Sequence, residues 1–351
     1  MASKDTSKET VGVIGAGSFG IAVANLLIPN REVLLYARRP EVAKALQVER
    51  VYKGRHLEEG IQLSNNLEEV AQRCSLIFPI IPSGNFRQML KNLSPYLTPA
   101  HILIHGTKGF EVNLKEGEVL REVQQLDRSQ VLTMSELIRQ ETVVMRIGCM
   151  AGPNLADEIL SGQPAATVVA SRFDEVIREG RAALRSSRFR VHGNHDLKGI
   201  EMAGVLKNIM AIVAGILDGL GFGANTRSLL ITRGLAEMAT IGQALGADPR
   251  AFLGLAGIGD LVATCSSPKS RNFTVGLRLA KGESLQEILD DMEEVAEGIN
   301  TVIVVKGLAA AHRIAAPITQ TLYKSLFEEM DIERGVRLLM EFPFTEDVEF
   351  I

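Results

Sequence analysis

The sequence predicts an α/β chain in two parts: a mostly parallel sheet with helices over residues 1–196, then an all-helical domain over 197–351. Three observations predict it. In the first half, short apolar runs that end in glycine-rich turns alternate with helical patterns. After Lys198 no strand pattern recurs. The 351 residues are enough for two domains of ordinary size, each with its own core.

Composition narrows the function. Apolar residues make up 46% and charged residues 23%, the balance of a globular protein. The net charge of −4 gives no general attraction for nucleic acid or an anionic membrane, so neither is expected as a partner. Cys74, Cys149 and Cys265 are odd in number and widely spaced, which argues against disulfides or a zinc site and for a reducing compartment. The first ten residues are polar, without the apolar core of a signal peptide, and a cytoplasmic protein is the expectation.

Residues 10–28 read as a short strand running into Gly15, Gly17 and Gly20 and then into a helix. This is the dinucleotide fingerprint in its proper context, which makes the sheet Rossmann-like. Gly15 serves a tight turn, Gly17 a close approach to a pyrophosphate, and Gly20 the packing of helix on strand. The same glycines also suit a tightly packed turn with no ligand. The next strand, 32–37, ends in Arg38 and Arg39. Arginine suits a 2′-phosphate, so NADP(H) is favoured, while Glu41 close behind keeps NAD(H) open.

Strands at 75–81, 101–105 and 147–150 each end in turn residues, which puts Lys108 and the run 151–154 on the ligand side of a parallel sheet. Asn154 is placed to cap a helix over 155–160. Runs at 166–170 and 189–192 extend the sheet, and Gly193-Asn194 turns the chain out of it.

The second half centres on residues 199–220, a helix with apolar side chains on every face and Lys207 in its middle. Glu201, Lys207 and Asp218 interrupt it too closely for a convincing membrane span. A lysine on an amphipathic helix ordinarily snorkels to water. Here no wet side is offered, and burial would turn the amine into an acid and base near neutral pH. A helix over 225–246 follows a glycine-dense loop, and Asp248-Pro249 marks another helix start. Asp260 and Thr264, four apart, share a helix face. Ser270, Arg271 and Asn272 at the next helix start form either an ordinary cap or a phosphate cradle. The acidic run 293–300 reads as a solvated face.

The motifs GAGSFG (15–20), GTKG (106–109), AGPN (151–154), LKN (206–208), GFGANTR (221–227), ITRGLAEM (231–238), GIGDL (257–261), KSRN (269–272) and VAEG (295–298) occur in one order over nearly the whole chain. In that order and spacing the chain resembles the NAD(P)-dependent glycerol-3-phosphate dehydrogenases. Ala151 stands where the family usually has serine, and residues 127–146 form a longer stretch than in many members, with no role assigned.

The resemblance implies reversible hydride transfer between NAD(P)H and dihydroxyacetone phosphate, giving sn-glycerol 3-phosphate for glycerophospholipid synthesis. It implies Lys207 as proton donor and acceptor. Lys108, Gly152, Asn154, Lys207, Asp260, Ser270, Arg271 and Asn272 match substrate positions, with Thr264 a weaker candidate. Ser18, Phe19, Arg38, Lys108, Ala156, Arg271, Val295 and Glu297 match cofactor positions, and a homodimer is implied. Two alternatives stay open on the residues: a related dehydrogenase with another substrate, and a nucleotide-sensing protein without chemistry.

Overall fold

The computed structural model describes residues 9–292 and 294–342. The polar start of the chain up to residue 8, and Glu293 of the acidic run, lie outside them. Close contacts divide the chain into two units. The first takes in the described residues up to Thr107, together with Ser135–Met150 and Asn154–Leu197; the second takes in Lys108–Met134, Ala151–Pro153 and the chain from Lys198 onward. The expected single cut near residue 196 therefore coincides with one of several crossings.

The first unit is built on one eight-stranded sheet. Its strands lie in the order Phe189–Asn194, Ala165–Ser171, Arg146–Ala151, Ile102–His105, Leu76–Pro79, Thr10–Ile14, Glu32–Tyr36 and Gln62–Ser64. Thr10–Ile14 pairs in parallel with Glu32–Tyr36 on one side and Leu76–Pro79 on the other, so the order reverses there. Such a reversal opens a crevice at the carboxyl ends of the strands. The central strands are continuous apolar runs because helices cover both faces. Val13, Ile21, Leu35, Phe78 and Ile104 meet in the resulting core.

The Leu197–Gly219 helix is the centre of the second unit. It is long and apolar enough to cross a membrane, with a mean hydropathy of 1.8, yet that stretch is wholly buried in protein. It packs unusually close to the Arg271–Ala280 helix: a Cβ on Gly215 would lie 2.0 Å from the Phe273 carbonyl oxygen, and one on Gly276 would lie 1.9 Å from that of Ile212. Backbone therefore rests on backbone at this crossing.

Three local expectations are corrected. The helical unit also holds a small antiparallel pair, Glu111–Val112 with Val131–Leu132. Two residues per strand are too few to leave an alternating pattern in sequence. Asn154 does not cap the Ala156–Leu160 helix, which begins after Leu155 with no side-chain cap; its amide instead donates to Thr167 Oγ1 at 2.9 Å. Gly193 and Asn194 belong to the last strand rather than to a turn out of the sheet.

Candidate active site

The glycine turn forms because Ile14 ends its strand at the point where the sheet order reverses. Gly15 has φ +119°, and a Cβ there would lie 2.2 Å from the Ile80 carbonyl oxygen, so a side chain is excluded twice over. Its N–H donates to the Tyr36 carbonyl at 3.1 Å, which holds the turn beside the end of the Glu32–Tyr36 strand. A Cβ on Gly20 would fall 1.8 Å from the Gly15 carbonyl oxygen, whereas one on Gly17 meets nothing within 4 Å. The helix Ser18–Leu27 starts at that open place, with Gly17 as its cap and no side chain on its first N–H groups. Such a helix start suits a phosphate or pyrophosphate, and the residues fit a nicotinamide dinucleotide. Phe19 packs near Gly106, at the end of the Ile102–His105 strand. Arg38 and Arg39 are exposed past Tyr36. Arg39 donates to the Tyr52 hydroxyl at 2.7 Å.

The second unit carries a buried cluster of charge. Lys207 is 5% exposed and Asp260 2%. Lys207 Nζ lies 3.0 Å from Asp260 Oδ1, and Lys108 Nζ lies 2.6 Å from Asp260 Oδ2. One carboxylate thus bridges two ammonium groups. The Lys207 ammonium also donates to Thr264 Oγ1, and the Thr264 hydroxyl donates to Asp260 Oδ1 at 3.1 Å. The four-residue spacing that puts Asp260 and Thr264 on one helix face is what makes this triangle. Lys108 Nζ reaches the Gly152 carbonyl at 3.3 Å, so Gly152 joins the cluster through its backbone.

Burial lowers the pKa of Lys207 from 10.5 to about 8; Asp260 works against that shift and Lys108 adds to it. Burial alone would raise the Asp260 carboxyl, but the Lys108 and Lys207 ammonium groups outweigh it and hold it below its ordinary value. Cys265, next along the helix, is pushed up to about 12 by burial and so remains a thiol.

The Ser270, Arg271 and Asn272 group begins the Arg271–Ala280 helix. Ser270 acts as its cap, accepting from the Phe273 N–H. Asn272 Oδ1 accepts from the Gly298 N–H at 2.9 Å. Gly298 is also close-packed on the Asn208 carbonyl, 2.9 Å from where its Cβ would be. Asn272 therefore adjoins the backbone of Lys207's neighbour. Arg271 donates to the Val295 carbonyl at 2.9 Å and lies 3.4 Å from a Glu294 carboxylate oxygen. Glu297 opens the Glu297–His312 helix.

The cluster so assembled contains Lys108, Gly152, Lys207, Asp260 and Thr264, with Asn272 adjoining it through Gly298 and Asn208. Arg271, Val295 and Glu297 gather about the start of the Arg271–Ala280 helix. Gly15, Gly17, Ser18, Phe19, Gly20, Arg38 and Arg39 gather in the first unit, which also holds Asn154 and Ala156. Thr264 touches both Lys207 and Asp260, which its spacing alone did not indicate. Gly204 was missed: Lys108 Cγ and Cδ lie 3.8 and 3.9 Å from where its Cβ would be. A glycine inside a helix was the available signal.

A nucleotide fold joined in one chain to a buried lysine–carboxylate pair defines a nicotinamide-dependent dehydrogenase. The family profile described as NAD-dependent glycerol-3-phosphate dehydrogenase N-terminus matches residues 10–177, and its C-terminus counterpart matches residues 196–337. The chain belongs to the NAD(P)-dependent glycerol-3-phosphate dehydrogenase family. It is 40% identical over 351 residues to a glycerol-3-phosphate dehydrogenase [NAD(P)+] of Pseudomonas aeruginosa, covering 99% of this chain and 98% of that one. A relative of the same name from Teredinibacter turnerae is 38% identical, with 98% of each chain covered. Among solved structures, the glycerol-3-phosphate dehydrogenase of Coxiella burnetii matches with a TM-score of 0.84 and 30% identity, over 95% of this chain and 99% of that one. A ketopantoate reductase of Ralstonia eutropha shares the fold at a TM-score of 0.55 and 13% identity, over 93% of this chain and 99% of that one.

Proposed function

We propose that this enzyme interconverts dihydroxyacetone phosphate and sn-glycerol 3-phosphate, with Lys207 as the group that gives and takes the proton. The nicotinamide, when bound, supplies or accepts the hydride at the substrate's central carbon. Lys207 Nζ donates its proton to the carbonyl oxygen during reduction and recovers it from the hydroxyl during oxidation. A pKa of about 8 suits both directions near neutral pH. Asp260 and Thr264 fix the direction of the amine, and Lys108 adds positive potential where negative charge develops on the oxygen.

The substrate phosphate and hydroxyls fall to Gly152, Asn154, Ser270, Arg271 and Asn272. By the family resemblance, the dinucleotide falls to Gly15, Gly17, Ser18, Phe19, Gly20, Arg38, Arg39, Lys108, Ala156, Arg271, Val295 and Glu297. Arg38 and Arg39 support NADP(H) over NAD(H). A cytoplasmic homodimer supplying glycerophospholipid synthesis is the setting that the family resemblance supports.

The observation that carries this reading is the single buried carboxylate shared by two lysines. Initial rates with dihydroxyacetone phosphate and NADPH or NADH, for the wild type and Lys207→Ala, test it. Turnover is expected for the wild type alone, with nucleotide binding retained in the variant. Normal turnover by Lys207→Ala would refute the role of the lysine.

A further inference from the structure

Residues 127–146, given no role by sequence, begin inside a segment that the structure joins to the helical unit: Lys108–Met134. Both ends of that segment rest on one face of the Leu197–Gly219 helix. Glu201, Gly204 and Asn208 follow one another at i, i+3 and i+7 and so line up along it. At one end, the Lys108 stem lies against Gly204, and the Asn208 amide reaches toward the Lys108 carbonyl at 3.5 Å. At the other end, the Thr133 hydroxyl donates to Glu201 Oε2 at 3.1 Å, and both residues are buried.

Between the two ends the chain runs out and comes back on itself. Glu111 pairs with Leu132 and Val112 with Val131, and the Asn113 N–H donates to the Gln130 carbonyl at 2.7 Å. Thr133 is thus the first residue past the ladder, and Lys108 stands three residues before it. Midway, the fully buried Leu126 bonds to the Gly307 carbonyl at 3.1 Å, and Lys306 donates to Gln124 at 2.6 Å.

Resting on the proposed function, we propose that the Glu201–Thr133 hydrogen bond positions Lys108 for the reaction. It pins the returning end of the strap to the helix that carries Lys207, and the ladder carries that constraint to Lys108, whose amine is thereby delivered to Asp260. Glu201 is a positioning residue, acting through Thr133 and Lys108. A buried hydrogen bond from a hydroxyl to a carboxylate is a firm fixing point, because bonds to charged groups are stronger than neutral ones.

The test compares Thr133→Val, which removes the hydroxyl at nearly constant shape, with Thr133→Ser, which keeps it. Each is made in the wild type and in Lys108→Ala. Thr133→Val is expected to lower kcat roughly tenfold, as a small misplacement of a catalytic group does. Thr133→Ser is expected to stay near wild type. In the Lys108→Ala background the valine is expected to cost almost nothing further, because both changes act through one group. A loss that persists in full in that background overturns the proposal, as does unchanged kcat in Thr133→Val, with or without a lower melting temperature. Reductive methylation of Lys108, read by peptide mass spectrometry without nucleotide, needs no turnover. Thr133→Val is expected to raise labelling several-fold, and unchanged labelling overturns the proposal. A wild type inactive on dihydroxyacetone phosphate would instead overturn the proposed function.

Discussion

Lys207 Nζ and Asp260 Oδ1 stand 3.0 Å apart, with both side chains almost closed to water. Neither charge is comfortable there alone, because removing one partner of a buried pair leaves the other uncompensated. Asp260→Asn is therefore expected to leave Lys207 neutral at pH 7, with burial and Lys108 both acting against its charge. On the role proposed for Lys207, reduction then lacks its acid, and kcat should fall ~10²-fold or more. Steady-state rates at saturating substrate check this.

The pH dependence has a definite sign. Lys207 is lowered to about 8, so it loses its proton as pH rises through that value. With Lys207 as the proposed acid and base, reduction needs the protonated amine and should fall above about pH 8. Oxidation needs the neutral amine and should rise through the same region. Burial sets the midpoint first, with Asp260 raising it and Lys108 lowering it. Lys108→Ala removes a neighbouring positive charge and should move the midpoint upward. Profiles of kcat in both directions check it, and a common limb in the two directions would count against Lys207.

Gly17 and Gly20 should respond differently to alanine. At Gly20 the new Cβ would fall 1.8 Å from the Gly15 carbonyl oxygen, so Gly20→Ala is expected to lower the melting temperature of the first unit. At Gly17 the Cβ meets no protein atom within 4 Å. Gly17→Ala is expected to fold normally and to lose nucleotide affinity, because the methyl group would occupy the phosphate cradle. Thermal melting and nucleotide titration separate the two effects.

Arg38→Ser tests cofactor choice. If the Arg38 guanidinium meets a 2′-phosphate, the substitution raises the KM for NADPH while leaving that for NADH nearly unchanged. An equal change for both nucleotides would remove Arg38 from that role.

Glu237 links pH to stability. It is buried, and its carboxylate accepts from the Ile318 N–H at 2.7 Å and from the Thr319 N–H and hydroxyl at 3.0 and 2.6 Å. Burial raises it from 4.5 to about 7, against the pull of those three bonds. A group raised on folding contributes stability below its unfolded value, and that contribution fades as pH rises through the folded value. The melting temperature of the wild type should therefore fall between about pH 5 and 8 more steeply than that of Glu237→Gln.

Much of this was legible in sequence because its signals are local. The strand–glycine–helix run at 10–28, the polar interruption at Lys207, the spacing of Asp260 and Thr264 and the cap at Ser270 each depend on residues a few positions apart. The illegible parts are long-range. Asn154 does not cap the nearby helix, which begins one residue later, after Leu155, and its amide donates to Thr167 on the next strand. The ladder of Glu111–Val112 with Val131–Leu132 is too short for a periodic signal. The 255–259 turn is a π-helix, which no period of 3.6 announces.

By itself the sequence determined which residue types are available: a strand running into a glycine turn and a helix, and a lysine in a helix with no polar face. Local periodicity and backbone stereochemistry are enough for that. Only the tertiary structure decided that Lys108, one hundred and fifty-two residues from Asp260, shares its carboxylate with Lys207, and that the strap beginning at Lys108 belongs with the helices. Those pairings arise from burial and charge neutralisation between distant segments, and burial is settled only once the chain has packed.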